Sequence, residues 1–314
     1  MDAEIQWIKS LQLPSGAILL SSQRESIQPY FDHLAVWAVL KTRPQETPFA
    51  KKWLDWVFAN LNRPGSSGVP GTVYDFMVDH EHEMNLYTCD SFDAYNGTFL
   101  MLLGEYWKIT HDRAYFQSKL PDIKLILHAT LQSKNEHGLT NARPDAQIAY
   151  LMDNVEVWRG LTDIALVFAD LGQNELAHST RNNAQELQKT IEKYLWSPQL
   201  QSYLPYESEL NPNPTEFYPF GTALIWPILF ELPEAQARKV SLWNHFQAHW
   251  LSRWKKGDSD FFAWSLLAYT AAKSGDRNLA QEWELHATDM IQQRNWPWHV
   301  GESAGYLLYL NELK

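Results

Sequence analysis

Apolar residues recur along this chain at helical spacing, in stretches of two alternating kinds. Some stretches are apolar all round, such as Leu34-Ala-Val-Trp-Ala-Val-Leu40 and Phe99-Leu-Met-Leu-Leu103. Others keep a polar face, such as the segment near 174–195 with Arg181, Asn182, Gln185, Gln188 and Lys189. The pattern predicts twelve helices, near 2–12, 28–41, 46–62, 90–109, 112–134, 153–171, 174–195, 215–231, 234–255, 259–274, 277–294 and 301–313. The even-numbered helices are the more apolar ones. A helix apolar all round is buried and an amphipathic one lies at the surface. The expected architecture is therefore all-α: an (α/α)6 toroid, six inner helices ringed by six outer ones, with residues 1–314 forming one domain. An α-solenoid or two packed bundles would use the same elements, but no fixed-length repeat recurs. Gly71-Thr-Val-Tyr-Asp-Phe-Met-Val78 reads as a strand and predicts a small β-hairpin within the 65–89 connection.

The connections also alternate. Short turns (Lys41–Pro44, Ile109–Asp112, Leu171–Asn174, Glu231–Glu234, Lys273–Asp276) close an inner helix and open an outer one. Long loops rich in Gly, Pro, Tyr, Trp and carboxylates lead back inward. In a closed ring this gathers the N-termini of the inner helices around one mouth. Such ends carry free N–H groups and partial positive charge, so chemistry is sought there.

Composition narrows the partners. A net charge of −11 disfavours nucleic acid, whose phosphates it would repel. Cys89 is the sole cysteine, so neither an internal disulfide nor a thiolate metal cage can form. No apolar run approaches the roughly 20 residues of a membrane span. The first residues lack a basic segment followed by an apolar one, which gives a cytoplasmic expectation. The aromatic content is high, with 15 Trp, 14 Tyr and 14 Phe; most fill a core, but Trp and Tyr beside loops also suit stacking on sugar rings. No Gly-rich phosphate loop or Gly-x-Ser-x-Gly element occurs, and no cofactor is expected. Asp79-His-Glu-His-Glu83 invites a metal reading, but without a second His cluster it is taken as a solvated loop, or a lid over the mouth, with no metal.

Four segments fall at the mouth: Ile27-Gln-Pro-Tyr-Phe-Asp-His-Leu-Ala35, Asp90-Ser-Phe-Asp-Ala-Tyr-Asn-Gly-Thr-Phe-Leu100, Leu151-Met-Asp-Asn-Val-Glu-Val-Trp158 and Trp296-Pro-Trp-His-Val-Gly-Glu-Ser-Ala304. With them the chain resembles the six-hairpin glycosidase superfamily. Leu151-Met-Asp-Asn looks most like the inner-helix Asp motif of unsaturated glucuronyl hydrolases. Asp90-Ser-Phe-Asp93 also looks like the Asp-containing helix start of family 8 endoglucanases, whose Ser-Glu-Gly motif is absent here. The resemblance implies hydrolysis of a glycosidic bond in an oligo- or polysaccharide, which normally needs two carboxyl groups flanking that bond.

The candidates for that pair are Asp93 and Asp153, opening adjacent inner helices so that their carboxyls face each other across a pocket, with Asp90 one turn earlier. Capping explains Asp90 and Asp153 as readily as catalysis does; Asp93 is harder to explain as a cap. Substrate-binding candidates are Tyr30, Asp32, His33, Tyr95, Asn154, Trp158, Trp298, His299 and Glu302. For Asp32 and Glu302 the plain alternative is first-turn dipole compensation, and for His33 a place at the core edge. Glu156 could pair with a basic residue. Thr215 and Glu216 read as a cap and first turn, Asp258 or Ser259 as a cap, Asp260 as ambiguous, and Phe261, Phe262 and Trp264 as core. Two other activities use the same ring. Epimerase or lyase chemistry would rest on His33, His82, His299 and Tyr95, and a non-catalytic sugar-binding or protein-interaction ring would bind without turnover.

Overall fold

A computed structural model describes residues 1–66, 68–80, 82–207, 216–256 and 262–314. Five of the six inner positions of the ring are single helices: α2 (Pro29–Thr42), α4 (Phe92–Thr110), α6 (Leu151–Asp170), α12 (Ser265–Lys273) and α14 (Val300–Glu312). Two short helices, α8 (Phe220–Ala223) and α9 (Trp226–Leu229), share the sixth. Around the circle, α2 packs on α4, α4 on α6, α6 on α9, α9 on α12, α12 on α14, and α14 on α2 again. The outer layer is α1 (Asp2–Ser10), α3 (Thr47–Ala59), α5 (Arg113–Gln132), α7 (Asn174–Tyr194), α11 (Lys239–Lys256) and α13 (Arg277–Gln293), with α10 (Pro233–Ala237) leading into α11. This is the (α/α)6 toroid that the alternation of apolar and amphipathic stretches predicts.

The twelve-helix reading departs from the structure in the third quarter of the chain. The eighth helix breaks into α8 and α9, and the ninth into α10 and α11. Pro227 sits in the first turn of α9, where a missing N–H costs nothing; inside one continuous helix it would remove a hydrogen bond. The tenth helix begins at Ser265, not at 259. Thr215 and Asp258, Ser259, Asp260 and Phe261 lie outside the described residues, as does Glu81.

Four of the five short turns use the left-handed backbone that stops a helix. His111, Gly172, Glu231 and Gly275 take φ of 46°, 80°, 66° and 93°. On this face Asp112 and Asp276 act as N-caps, accepting from Tyr115 N (3.0 Å) and Leu279 N (3.3 Å). At the other end of the ring, the 65–89 connection forms the expected hairpin, β2 (Phe76–Asp79) with β3 (His82–Asn85), and a short β1 (Ser26–Ile27) adds to β2. Trp56 Nε1 on α3 donates to Glu83 (2.6 Å) and holds the hairpin against the outer layer. Among the described residues no helix is long and apolar enough to cross a membrane.

One contact in the ring sets the site geometry. Gly97 on α4 and Gly160 on α6 face each other so closely that a Cβ on Gly97 would stand 2.7 Å from Val157 N, and one on Gly160 would collide with the Gly97 carbonyl oxygen. The two backbones touch because neither residue has a side chain. That close approach brings the starts of α4 and α6 together at the mouth.

Candidate active site

A cavity of ≈ 440 Å³ opens at the N-terminal ends of the inner helices. Its wall includes Tyr30, Phe31, Asp75, Asp90, Ser91, Tyr95, Met152, Asp153, Tyr218, Trp226, Phe262, Trp264, His299 and Glu302.

At its floor, Ser91 Oγ lies 2.6 Å from Asp93 Oδ1 and 2.6 Å from Asp153 Oδ2. All three residues are buried. A serine hydroxyl has one proton to donate, so the second contact requires a proton on a carboxyl, and the pair holds at least one. Burial raises both acids. Asp153 is raised the more strongly, because the charges of Asp93 and Glu156 add to its desolvation. Asp93 is held back by the Ser91 hydroxyl and by Ala94 N–H, which donates to Oδ1 at 2.9 Å. Of the two, Asp153 is the one that reaches the cavity wall, so a proton shared by the pair is presented to the cavity there. Asp153 Oδ2 meets Ser91, while Oδ1 receives no hydrogen bond from the described residues. The expectation placed Asp93 and Asp153 across a pocket from each other. They meet instead on one side of it, their bridged oxygens no farther apart than twice 2.6 Å, and only Asp153 reaches the cavity wall.

Capping explains neither of the other two aspartates. Asp90 precedes the N-cap Ser91, and Asp153 is the third residue of α6, whose N-cap is Tyr150. Asp90 is exposed on the cavity wall and makes no hydrogen bond or ion pair with described residues.

A further carboxyl comes from the loop before β2. Asp75 lines the cavity, accepts from Tyr95 OH (2.9 Å), and is pushed up to about 6 by burial, with a smaller contribution from Asp90. Behind the wall, Glu156 Oε1 accepts from Tyr30 OH (2.6 Å) and Trp226 Nε1 (2.9 Å), and burial pushes its carboxyl up to about 8. These bonds fix two wall aromatics. Tyr30 stacks on Tyr95 at 6.0 Å, and Tyr218 on Trp264 at 5.6 Å. Trp264 takes φ 55°, uncommon for a bulky side chain. Its N–H donates to Glu302 Oε1 (2.8 Å), and Ser265 N–H to Glu302 Oε2 (2.8 Å). Glu302 therefore holds the start of α12 as well as lining the cavity. His299 Nδ1 accepts from Gly301 N–H (3.0 Å), which leaves Nε2–H as the ring's donor, and burial lowers the imidazole to about 3. His299 stands in the wall as a neutral ring.

Five expected binding residues lie elsewhere. Trp298 is wholly buried and ties α1 to α14, donating through Nε1 to Glu4 Oε1 and Ser303 Oγ, each at 3.0 Å. A ring with no exposed face cannot stack on a sugar; its neighbour Trp296 is the partly exposed one of the two. Asn154 spends its amide on Thr140 and Tyr150. Trp158 and His33 are core residues, His33 Nδ1 meeting Thr98 Oγ1 at 3.1 Å. Asp32 is fully buried below the cavity, raised by desolvation and by Asp75. Conversely, Phe262 and Trp264, read as core, form wall, as do Asp75 and Tyr218. His82 is exposed on the hairpin, and among the described residues no group of His, Cys, Asp and Glu suits a metal ion.

No known family model matches the sequence, and no curated protein matches it. Solved structures do share the fold. A wild-type glycosidase superposes with a TM-score of 0.69 at 12% identity, over 99% of this chain and 95% of that one. A rhamnosidase from Klebsiella oxytoca with rhamnose bound gives 0.64 at 15%, over 97% and 62%. A novel alpha-amylase from Clostridium perfringens gives 0.62 at 11%, over 99% and 96%.

Proposed function

We propose that this protein is a glycoside hydrolase acting on an oligo- or polysaccharide. The observation that carries the reading is Asp153: a buried carboxyl in the wall of an aromatic-lined cavity, joined through Ser91 to a second carboxyl. A neutral acid at that place donates a proton to the leaving glycosidic oxygen. As Asp153 gives up its proton, Ser91 turns its hydroxyl hydrogen from Asp93 onto the Asp153 carboxylate that results, and Asp93 keeps Ser91 in place. The opposing carboxylate is Asp75, ionised above about pH 6, which activates water or attacks the sugar carbon. Two acids whose surroundings separate their proton affinities are what this chemistry requires. The stacked pairs Tyr30–Tyr95 and Tyr218–Trp264 hold the sugar rings. The likeness to a glycosidase, a rhamnosidase and an alpha-amylase supports the reading at the level of fold.

Epimerase or lyase chemistry would need His or Tyr as the proton carrier. Of the four residues considered for it, His299 and Tyr95 reach the cavity; His299 Nδ1 is occupied by a helix end, and the Tyr95 hydroxyl donates to Asp75. The test is a panel of glycosides incubated with the protein and with Asp153→Asn. Hydrolysis by the wild type and a loss of at least ~100-fold in the variant is the expected result. An unsaturated product, or a product of unchanged mass, would replace the hydrolase by a lyase or an epimerase. Near-wild-type rates in the variant would remove Asp153 from the reaction.

A further inference from the structure

The cavity wall is one-sided in charge. Asp75, Asp90, Asp153 and Glu302 line it, and no Lys or Arg does so among the described residues. Two guanidiniums lie near this end outside the wall: Arg143, which acts on the Tyr150 phenol and is tied to Asp145 (3.0 Å) and the Cys89 carbonyl (3.0 Å), and Arg24, which stacks over Trp296 (4.4 Å). Chemistry on a glycosidic bond uses two carboxyls, for which Asp153 and Asp75 suffice. Glu302 is engaged by the two N–H groups at the start of α12. Asp90 remains: exposed to the cavity and hydrogen-bonded to no described residue, with Arg143 held behind it on the carbonyl of the preceding residue. Asp90 faces the same space as Asp153, since the charges of both act on the Tyr218 phenol, whose rise is due first to burial.

We propose that the cavity takes a sugar residue without an acid group, a neutral hexose or deoxyhexose, and that Asp90 is the residue that excludes uronic acids. The inference rests on the reading of the cavity as a sugar site and specifies which sugars enter it. A uronate carboxylate would meet Asp90 and Asp75 with no arginine or lysine to receive it, whereas the hydroxyls of a neutral ring donate to both. The cavity's own groups show how it treats negative charge. Asp75 is raised to about 6, first by burial and then by the charge of Asp90, so a further negative charge in the same space is disfavoured. This reading separates the chain from the glucuronyl-type substrates that the Leu151-Met-Asp-Asn segment suggests.

The test compares binding within matched pairs of monosaccharides: glucose with glucuronate, galactose with galacturonate, mannose with mannuronate. Each pair shares its ring stereochemistry and differs in the C6 acid, so the ratio isolates the charge. Binding is read at pH 7 by calorimetry and by the intrinsic tryptophan fluorescence, to which the wall residues Trp226 and Trp264 contribute. In every pair that binds, the neutral member should be tighter by at least ~10-fold, and Asp90→Asn should narrow the ratio. A uronate that binds as well as its neutral partner overturns the proposal. A ratio unchanged in Asp90→Asn overturns the role of Asp90. If no member of any pair binds, the sugar-site reading itself fails, an outcome distinct from sugars binding without charge preference.

Discussion

Replacing Ser91 by Ala removes one hydroxyl and thereby both 2.6 Å contacts that join Asp93 to Asp153. A hydrogen bond to a charged group is worth about 1.5–3 kcal/mol, so loss of the bridge should lower kcat by ~10–100-fold. The pH profile separates this effect from a general disturbance of structure. The Ser91 hydroxyl lowers the proton affinity of both carboxyls. Without it each binds its proton more tightly, so the alkaline limb of kcat/KM, which follows deprotonation of Asp153, moves to higher pH. Ser91→Thr keeps a hydroxyl and should restore the wild-type limb. The assay is kcat/KM on a hydrolysed glycoside from pH 4 to 10, beside thermal unfolding as a check on folding. An alkaline limb that stays where it was, in a variant that folds, would refute the bridged-acid account.

Asp75→Asn should abolish the acid limb near pH 6, because the carboxyl pushed up to about 6 is the group that must be ionised; an unchanged limb assigns the base elsewhere. Glu156→Gln should stabilise the protein above neutral pH. Its folded pKa, about 8, lies above the unfolded value of 4.5, so the native state holds a proton the unfolded chain has lost, and stability falls as pH rises between those values, by up to about 5 kcal/mol. Denaturant unfolding at pH 5 and pH 9 should show a smaller difference in the variant than in the wild type. Gly160→Ala should cost about 1–3 kcal/mol of stability by overpacking and reduce activity as well, since it drives α6 off the Gly97 carbonyl and separates Asp153 from Ser91; an active variant of full stability would show that the close approach is dispensable.

The ring was readable because inner and outer helices differ in periodicity, and the short turns fix the order of the layers. What the turns could not supply was depth. Trp298 and Trp296 stand two residues apart in the same turn, yet one is sealed against Glu4 and the other half open; linear pattern carries no signal for that choice. Asn154 follows Asp153 directly but points into a loop that uses up its amide. Asp75 was hidden in a connection with no helical start to mark it, and reaches the cavity because β2 pairs with β1, which leads into α2. The capping ambiguity at Asp90 and Asp153 resolves through position: the aspartates that do cap outer helices, Asp112 and Asp276, sit on the short-turn face. Ser91 lies between two candidate aspartates in Asp90-Ser-Phe-Asp93, but a hydroxyl shared by two carboxyls becomes visible only when α4 and α6 touch through Gly97 and Gly160.

The most direct test of the central claim is a crystal structure of Asp153→Asn with an oligosaccharide bound. The account places the scissile glycosidic oxygen about 3 Å from the side chain of residue 153, with Asp75 approaching the sugar carbon from the other side of the ring and Ser91 still bridging to Asp93. A sugar bound with its glycosidic oxygen away from residue 153, or lying outside the cavity, would contradict it.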